Sequence, residues 1–216
     1  MKILQVGGGA TGSILLSFLI PYMKEHSLIL MDGDIVEEKN LSNQKYTMKD
    51  VGKNKAEVII SRYKRFYKEK ELFFLPDYLK DIDQIRKINP DIIIGCVDNV
   101  YTRKILHEYF MEETGNLVYA DAGNGDQERN GQVVTGIKVN GKITKSPVLD
   151  VYPEMKAVED QISVPSCERV VAEHPQHITT NVFSATTVFG ILVNMLDFGI
   201  MPPHIALFDA EKIKMG

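Results

Sequence analysis

The opening segment, MKILQVGGGATG, leaves this chain few folds to choose from. An apolar run, Lys2–Val6, enters a turn containing Gly7, Gly9 and Gly12, and a second apolar segment, 13–19, leaves it and closes at Pro21. GxGxxG between a strand and a helix lets backbone amides approach a phosphate at the helix N-terminus. The alternative is a turn that is tight for purely structural reasons. Either way the first βα unit starts with the chain, and parallel strands with helical crossovers should follow.

The rest of the sequence keeps that rhythm. Short apolar runs at 28–31, 72–75, 92–96 and 117–120 read as strands. Helical spacing of Ala56, Ile59, Ile60 and Tyr63 marks a helix over 53–68, with further helices expected at 81–88 and 101–112. After Gly131 the pattern changes: 132–139 and 142–144 flank Asn140-Gly141, the dipeptide suited to a two-residue hairpin turn. Residues 145–179, with Pro147, Pro153, Pro165 and Pro175, read as a long crossing loop, followed by a helix at 181–197 and a strand at 204–208. The expected fold is α/β: a Rossmann-like, doubly wound, mostly parallel sheet with an antiparallel C-terminal extension. One domain spans 1–216, its core at 1–135 and its C-terminal helix and strand at 180–216. No repeat or low-complexity tract interrupts it.

Composition excludes several classes. With 44% hydrophobic and 25% charged residues the chain can build a core, and a net charge of −4 supplies no global field for nucleic acid or anionic membrane. Two cysteines, Cys96 and Cys167, are too few for a disulfide scaffold or a CxxC zinc site, which fits a reducing cytoplasm. The start lacks the pattern of a signal peptide. The stretch 182–196 contains Ser184, Thr186, Thr187 and Asn194 and reads as a core helix rather than a membrane span.

Asp32 ends the second apolar run about 20 residues beyond Gly12, where a carboxylate can accept hydrogen bonds from ribose hydroxyls; NAD and ATP both satisfy this. What separates them are three later segments, DGDIVEEKNLSNQ at 32–44, DVGKNKAE at 50–57 and CVDN at 96–99. Together, and in this order, they resemble the ThiF, MoeB and HesA family, bacterial relatives of ubiquitin-activating enzymes. The likeness covers residues 1–135 well and the remainder loosely. PSCERVVAEHPQH at 165–177 is more similar to short ThiF-type proteins of plasmid and phage-like gene clusters.

The resemblance implies ATP-dependent adenylation of the C-terminal carboxylate of a ubiquitin-like or sulfur-carrier protein, or of a peptide, by a homodimer. It places Gly7, Gly9, Gly12, Asp32, Asp34, Asn40, Asn43 and Lys55 against the nucleotide, with Asp98 holding magnesium (Mg2+). A phosphate-bound cation at Lys55 and a metal-binding carboxylate at Asp98 suit a reaction that depends on positioning and charge neutralisation. Taken singly, Asn40 as a turn cap, Lys55 as a solvated helix lysine and Asp98 as a helix N-cap would serve as well. Gly131-Gln132-Val133 resembles the family's GQV strand beside an acceptor surface, or simply starts a strand.

Two features depart from the pattern. Asn43 stands where the family has arginine, and no arginine-bearing helix precedes Lys2. Asparagine cannot replace a bidentate guanidinium on phosphate, so Lys39, Lys45 or Arg103 would have to compensate. In the long loop the family carries a thiol that attacks the acyl adenylate, which makes Cys167 a catalytic candidate, with His174 and His177 as base or metal ligands. Cys96, inside an apolar run, reads as a buried small hydrophobe. The bases Arg62, Lys64, Arg65, Lys68 and Lys70 form a solvated helix face or dock an acidic partner. Two rival functions remain: an NAD-dependent oxidoreductase, and a catalytically weakened binding module of the same fold.

Overall fold

A computed structural model of the protein describes residues 1–125, 129–158 and 177–216. Strand β1 (Lys2–Val6) leads through the glycine turn into helix α1 (Ala10–Tyr22), and β2 (Ser27–Met31) follows. Then come α2 (Lys55–Lys64), β3 (Leu72–Leu75), α3 (Ile82–Ile88), β4 (Ile92–Gly95), α4 (Val100–Glu112) and β5 (Leu117–Asn124). The chain continues through β6 (Asn130–Val139), β7 (Lys142–Lys145), the short α5 (Val148–Val151), the long α6 (Ile178–Phe198), β8 (Ile205–Asp209) and β9 (Lys214–Met215).

One sheet contains all nine strands in the order β3-β2-β1-β4-β5-β6-β8-β9, with β7 paired to β6. Strands β3 to β5 along this path are parallel, and every pairing from β5·β6 onward is antiparallel. The inner parallel strands β2, β1 and β4 bury both faces, and the two-residue pleat divides their side chains between two cores. Ile3, Leu28, Leu30, Ile92 and Ile94 pack with Leu15, Leu16 and Leu19 of α1 and with Val188 and Leu192 of α6. Leu4, Val6, Ile29, Met31 and Ile93 pack with Leu106 and Phe110 of α4. Each such aliphatic side chain contributes about 1.5–3 kcal/mol of burial.

Some boundaries move. Helix α1 does not stop at Pro21; it runs to Tyr22 and closes on the Met23 N–H to Leu19 C=O bond of 2.8 Å. Proline in a last turn removes one bond there rather than breaking an interior ladder. Strand β5 extends to Asn124 because β6 pairs with it along its whole length, from Leu117↔Lys138 to Asn124↔Gly131. The Asn140-Gly141 turn is as expected, with φ of 50° and 74°, the pair of positive values that a two-residue hairpin of this kind demands. The loop expected at 145–179 begins with α5 and a 3-10 turn at Pro153–Ala157. Strand β9 is too short to announce itself as an apolar run.

Helix α6 is longer than its sequence pattern indicated and is long and apolar enough to cross a membrane by length and composition. Its buried residues, Thr180, Ser184, Ala185, Val188, Ile191 and Leu192 among them, pack on α1 and the sheet.

Candidate functional site

The sheet order reverses between β1 and β4, and in open α/β sheets the carboxyl ends of the strands beside that reversal form a crevice. The glycine turn leaves β1 there and the CVDN segment leaves β4. The two touch: Gly7 has φ of 98°, and a Cβ on it would stand 2.3 Å from the Cys96 carbonyl oxygen. A Cβ on Gly12 would meet the Gly7 carbonyl at 2.1 Å. Over Gly9, by contrast, space is open, and the N-terminus of α1 that follows it has no side-chain cap. An uncapped helix start beside an open glycine suits an anion.

Asp32 organises the neighbouring turn. Its Oδ2 accepts the Gly8 N–H at 2.6 Å and its Oδ1 the Asp34 N–H at 2.8 Å. Burial raises its pKa to about 6, although Lys55 and the two amides oppose the shift. Lys55, the first residue of α2, is buried, and its Nζ donates to Asp34 Oδ2 at 2.9 Å. Asn54 caps α2 by accepting the Glu57 N–H at 3.0 Å and donates to the carbonyls of Asp32 at 2.8 Å and Asp34 at 3.1 Å. Tyr46 reaches in from the 32–54 excursion, its hydroxyl donating to the Gly8 carbonyl at 2.6 Å. Gln5 braces the turn from β1, donating to the carbonyls of Gly7 and Gly12.

Asn40 takes the structural role first: its Oδ1 accepts the Glu37 N–H at 2.9 Å within a 3-10 turn, Glu38–Ser42. Asn43 closes that turn, and its Oδ1 is buried without a hydrogen bond. Asp98 lies beyond the end of β4 and is exposed, and the N-cap of α4 is Asn99, which accepts the Thr102 N–H at 2.8 Å. Capping therefore does not account for Asp98. Among the described residues no group of three metal-ligating side chains occurs. A single exposed carboxylate still fits magnesium, which keeps waters and is completed by substrate phosphates.

The proposed stand-ins for the missing arginine differ in their freedom. Arg103 is buried, its Nε on Asp121 Oδ1 at 3.0 Å and its Nη2 on the Val97 carbonyl at 2.9 Å, so these two donors are committed inside the protein, against the expectation that Arg103 compensates. Lys39 pairs with Glu37 at 2.8 Å on the surface. Lys45 is exposed, and its backbone N–H is tied to Ser13 Oγ on the first turns of α1 at 3.0 Å. Arg62 is held by Asp50 and the Lys45 carbonyl, which removes one member of the supposed basic face.

Cys96 is partly buried against the core, and desolvation pushes its thiol pKa up, in keeping with a packing role. Cys167 and His174 lie outside the described residues. His177 is the N-cap of α6, its Nδ1 accepting the Thr179 N–H. Gly131-Gln132-Val133 lies on β6, where a Cβ on Gly131 would stand 2.4 Å from the Phe208 ring. Gln5, Tyr46 and Asn54 were not singled out by sequence reasoning. An asparagine directly before the first residue of α2 was the one readable signal among them.

Comparison with known proteins follows this geometry. Solved structures similar over 100% of this chain include PaaA, with a TM-score of 0.72, 17% identity and 71% of that chain covered. Escherichia coli MccB with ATP matches with a TM-score of 0.72 and 18% identity, and 62% of its length is covered. The Microcin C7 biosynthetic enzyme MccB in complex with N-formylated MccA matches with a TM-score of 0.72 and 19% identity, and 63% of its length is covered. This chain thus spans less than two thirds of the MccB proteins, and the likeness is one of fold. A search of the curated proteins finds no match. The ThiF family model matches residues 1–210, nearly the whole sequence, and the chain belongs to the ThiF family.

Proposed function

We propose that this chain is a single-domain, ATP-dependent adenylyltransferase that activates the C-terminal carboxylate of a ubiquitin-like or sulfur-carrier protein or of a peptide. The observation that carries the reading is the gathering, at one sheet edge, of an uncapped helix start, Asp32, the Asp34–Lys55 pair and Asp98. Membership of the ThiF family supports it, as does the ATP held by MccB. A dehydrogenase needs the glycine turn and Asp32 but has no use for a buried lysine beside them.

In this reaction a carboxylate oxygen of the acceptor attacks the α-phosphorus of ATP. A new C–O–P bond forms, the bond to the bridging oxygen breaks, and pyrophosphate leaves with the electron pair. The start of α1 and Lys55 hold the negative phosphates, and Asp32 accepts the ribose hydroxyls. Asp98 holds magnesium, which neutralises phosphate charge when bound. Asn40 contributes its amide group, since its oxygen caps the turn. Cys167 is the candidate thiol for onward transfer, releasing AMP from the acyl adenylate. By the family resemblance the working unit is a homodimer.

Calorimetry with ATP and with NAD, in the presence and absence of magnesium, tests the reading on wild type and Asp98→Ala. Magnesium-dependent ATP binding that Asp98→Ala loses is the expected result; NAD binding in its place overturns the assignment. A second reading, a weakened nucleotide- or partner-binding module, is favoured by Asn43 in place of arginine and by the commitment of Arg103 to Asp121. ATP binding without acceptor-dependent pyrophosphate exchange would select it.

A further inference from the structure

Tyr78 lies in the segment between β3 and α3, and its hydroxyl donates to Asp34 Oδ1 at 2.6 Å. The other oxygen of the same carboxylate, Oδ2, accepts Lys55 Nζ at 2.9 Å. The ring lies against Gly33: a Cβ there would stand 2.6 Å from both Cγ and Cδ2 of Tyr78. Glycine between Asp32 and Asp34 is therefore what admits the ring. The backbone of this turn is already tied to α2 through Asn54 and through the Lys55 N–H to Asp34 C=O bond of 2.9 Å. What the backbone does not set is the rotation of the Asp34 carboxylate, whose side chain is 45% exposed. The terminal torsion of aspartate is soft and the lysine stem has four rotatable carbons.

We propose that Tyr78 is a positioning residue of the nucleotide site: by lying across Gly33 and occupying one oxygen of Asp34, it turns the other oxygen to hold the Lys55 ammonium in one place. The inference rests on the nucleotide reading for its purpose, though not for its geometry. Holding a cation before substrate arrives removes an ordering cost from binding and from the transition state. Tyr78 is itself 52% exposed, so its hydroxyl has little to do with the stability of the core.

Tyr78→Phe keeps the ring and removes the hydroxyl. The charged groups facing Asp34 are Asp32, Lys39 and Lys55. Burial works against the Asp34 charge, but Lys55 and the hydrogen bonds from Lys55 and Tyr78 hold its carboxyl below the usual range. Two readouts need no nucleotide: the carbon-13 NMR titration of the Asp34 carboxyl, and the rate of reductive methylation of Lys55. In Tyr78→Phe the titration midpoint should rise and Lys55 should react faster, at an unchanged urea midpoint. The third readout, calorimetric ATP affinity, should fall about threefold to tenfold, the range for losing one ordinary, solvent-screened hydrogen bond. An unmoved Asp34 titration or Lys55 rate overturns the proposal, and so does unchanged ATP affinity where wild type binds ATP. If the first two readouts move while wild type binds no ATP, Tyr78 still positions Lys55 and the nucleotide reading is what falls.

Discussion

Two ion pairs flank the same edge of the sheet, and they are built differently. Arg103–Asp121 and Lys55–Asp34 are equally close, at 3.0 and 2.9 Å. The side chains of the first pair are 9% and 1% exposed, those of the second 8% and 45%. Around Asp121 the surroundings are closed: Tyr119 donates to its Oδ2 at 2.8 Å, and Arg103 sends Nη2 to the carbonyls of Val97 and Ala122. Around Asp34 one flank stays open. A pair buried on both sides holds a fold together, whereas a buried cation beside a half-exposed carboxylate is available to a ligand that brings its own negative charge.

This contrast can be broken by removing each cation. Arg103→Ala leaves Asp121 buried and unpaired and should lower stability by about 3–5 kcal/mol, read from urea unfolding. Lys55→Ala should lower acceptor-dependent pyrophosphate exchange about 100-fold, the scale of losing one positioned charge at developing negative charge, while moving the urea midpoint little. If the two variants exchange their effects, the roles assigned to the pairs are reversed.

Acidity sharpens the open side. The folded pKa of Asp32, about 6, lies above its ordinary 3.8, so between those values the folded chain binds more protons than the unfolded one. The stability arising from this group is therefore fully present below about pH 4 and is lost as pH rises through 6, a change of about 3 kcal/mol. Urea midpoints measured across that window should show the slope in wild type and lack it in Asp32→Asn. The smallest effect concerns the missing arginine. Asn43→Arg should raise exchange about tenfold if a guanidinium is what the site lacks, and leave it unchanged if Lys45 already supplies the charge.

The parallel half of the sheet was readable because its signals are local. Apolar runs of strand length and the glycine turn carry their meaning in local spacing, whereas Lys55 and Asp98 were singled out by the resemblance of their segments to the family's motifs. Arg103 shows the limit: it looked like a spare cation because its partner Asp121 sits on another element, brought beside it only when α4 packs against β5. Asp98 shows the reverse case, since the capping role that competed for it went to Asn99. Tyr78 carried no signal, being an aromatic in an irregular segment whose contact with Asp34 spans 44 positions.

By itself the sequence determined the βα rhythm, the hairpin at Asn140-Gly141, the place of the glycine turn and the family motifs, because periodicity and turn chemistry act between near neighbours. The tertiary structure decided which charges are sealed and which stay open, how far β5 extends, and that Tyr78 and Lys55 share one carboxylate. Those outcomes depend on which distant groups packing brings within hydrogen-bond reach, and on how much water it leaves beside them.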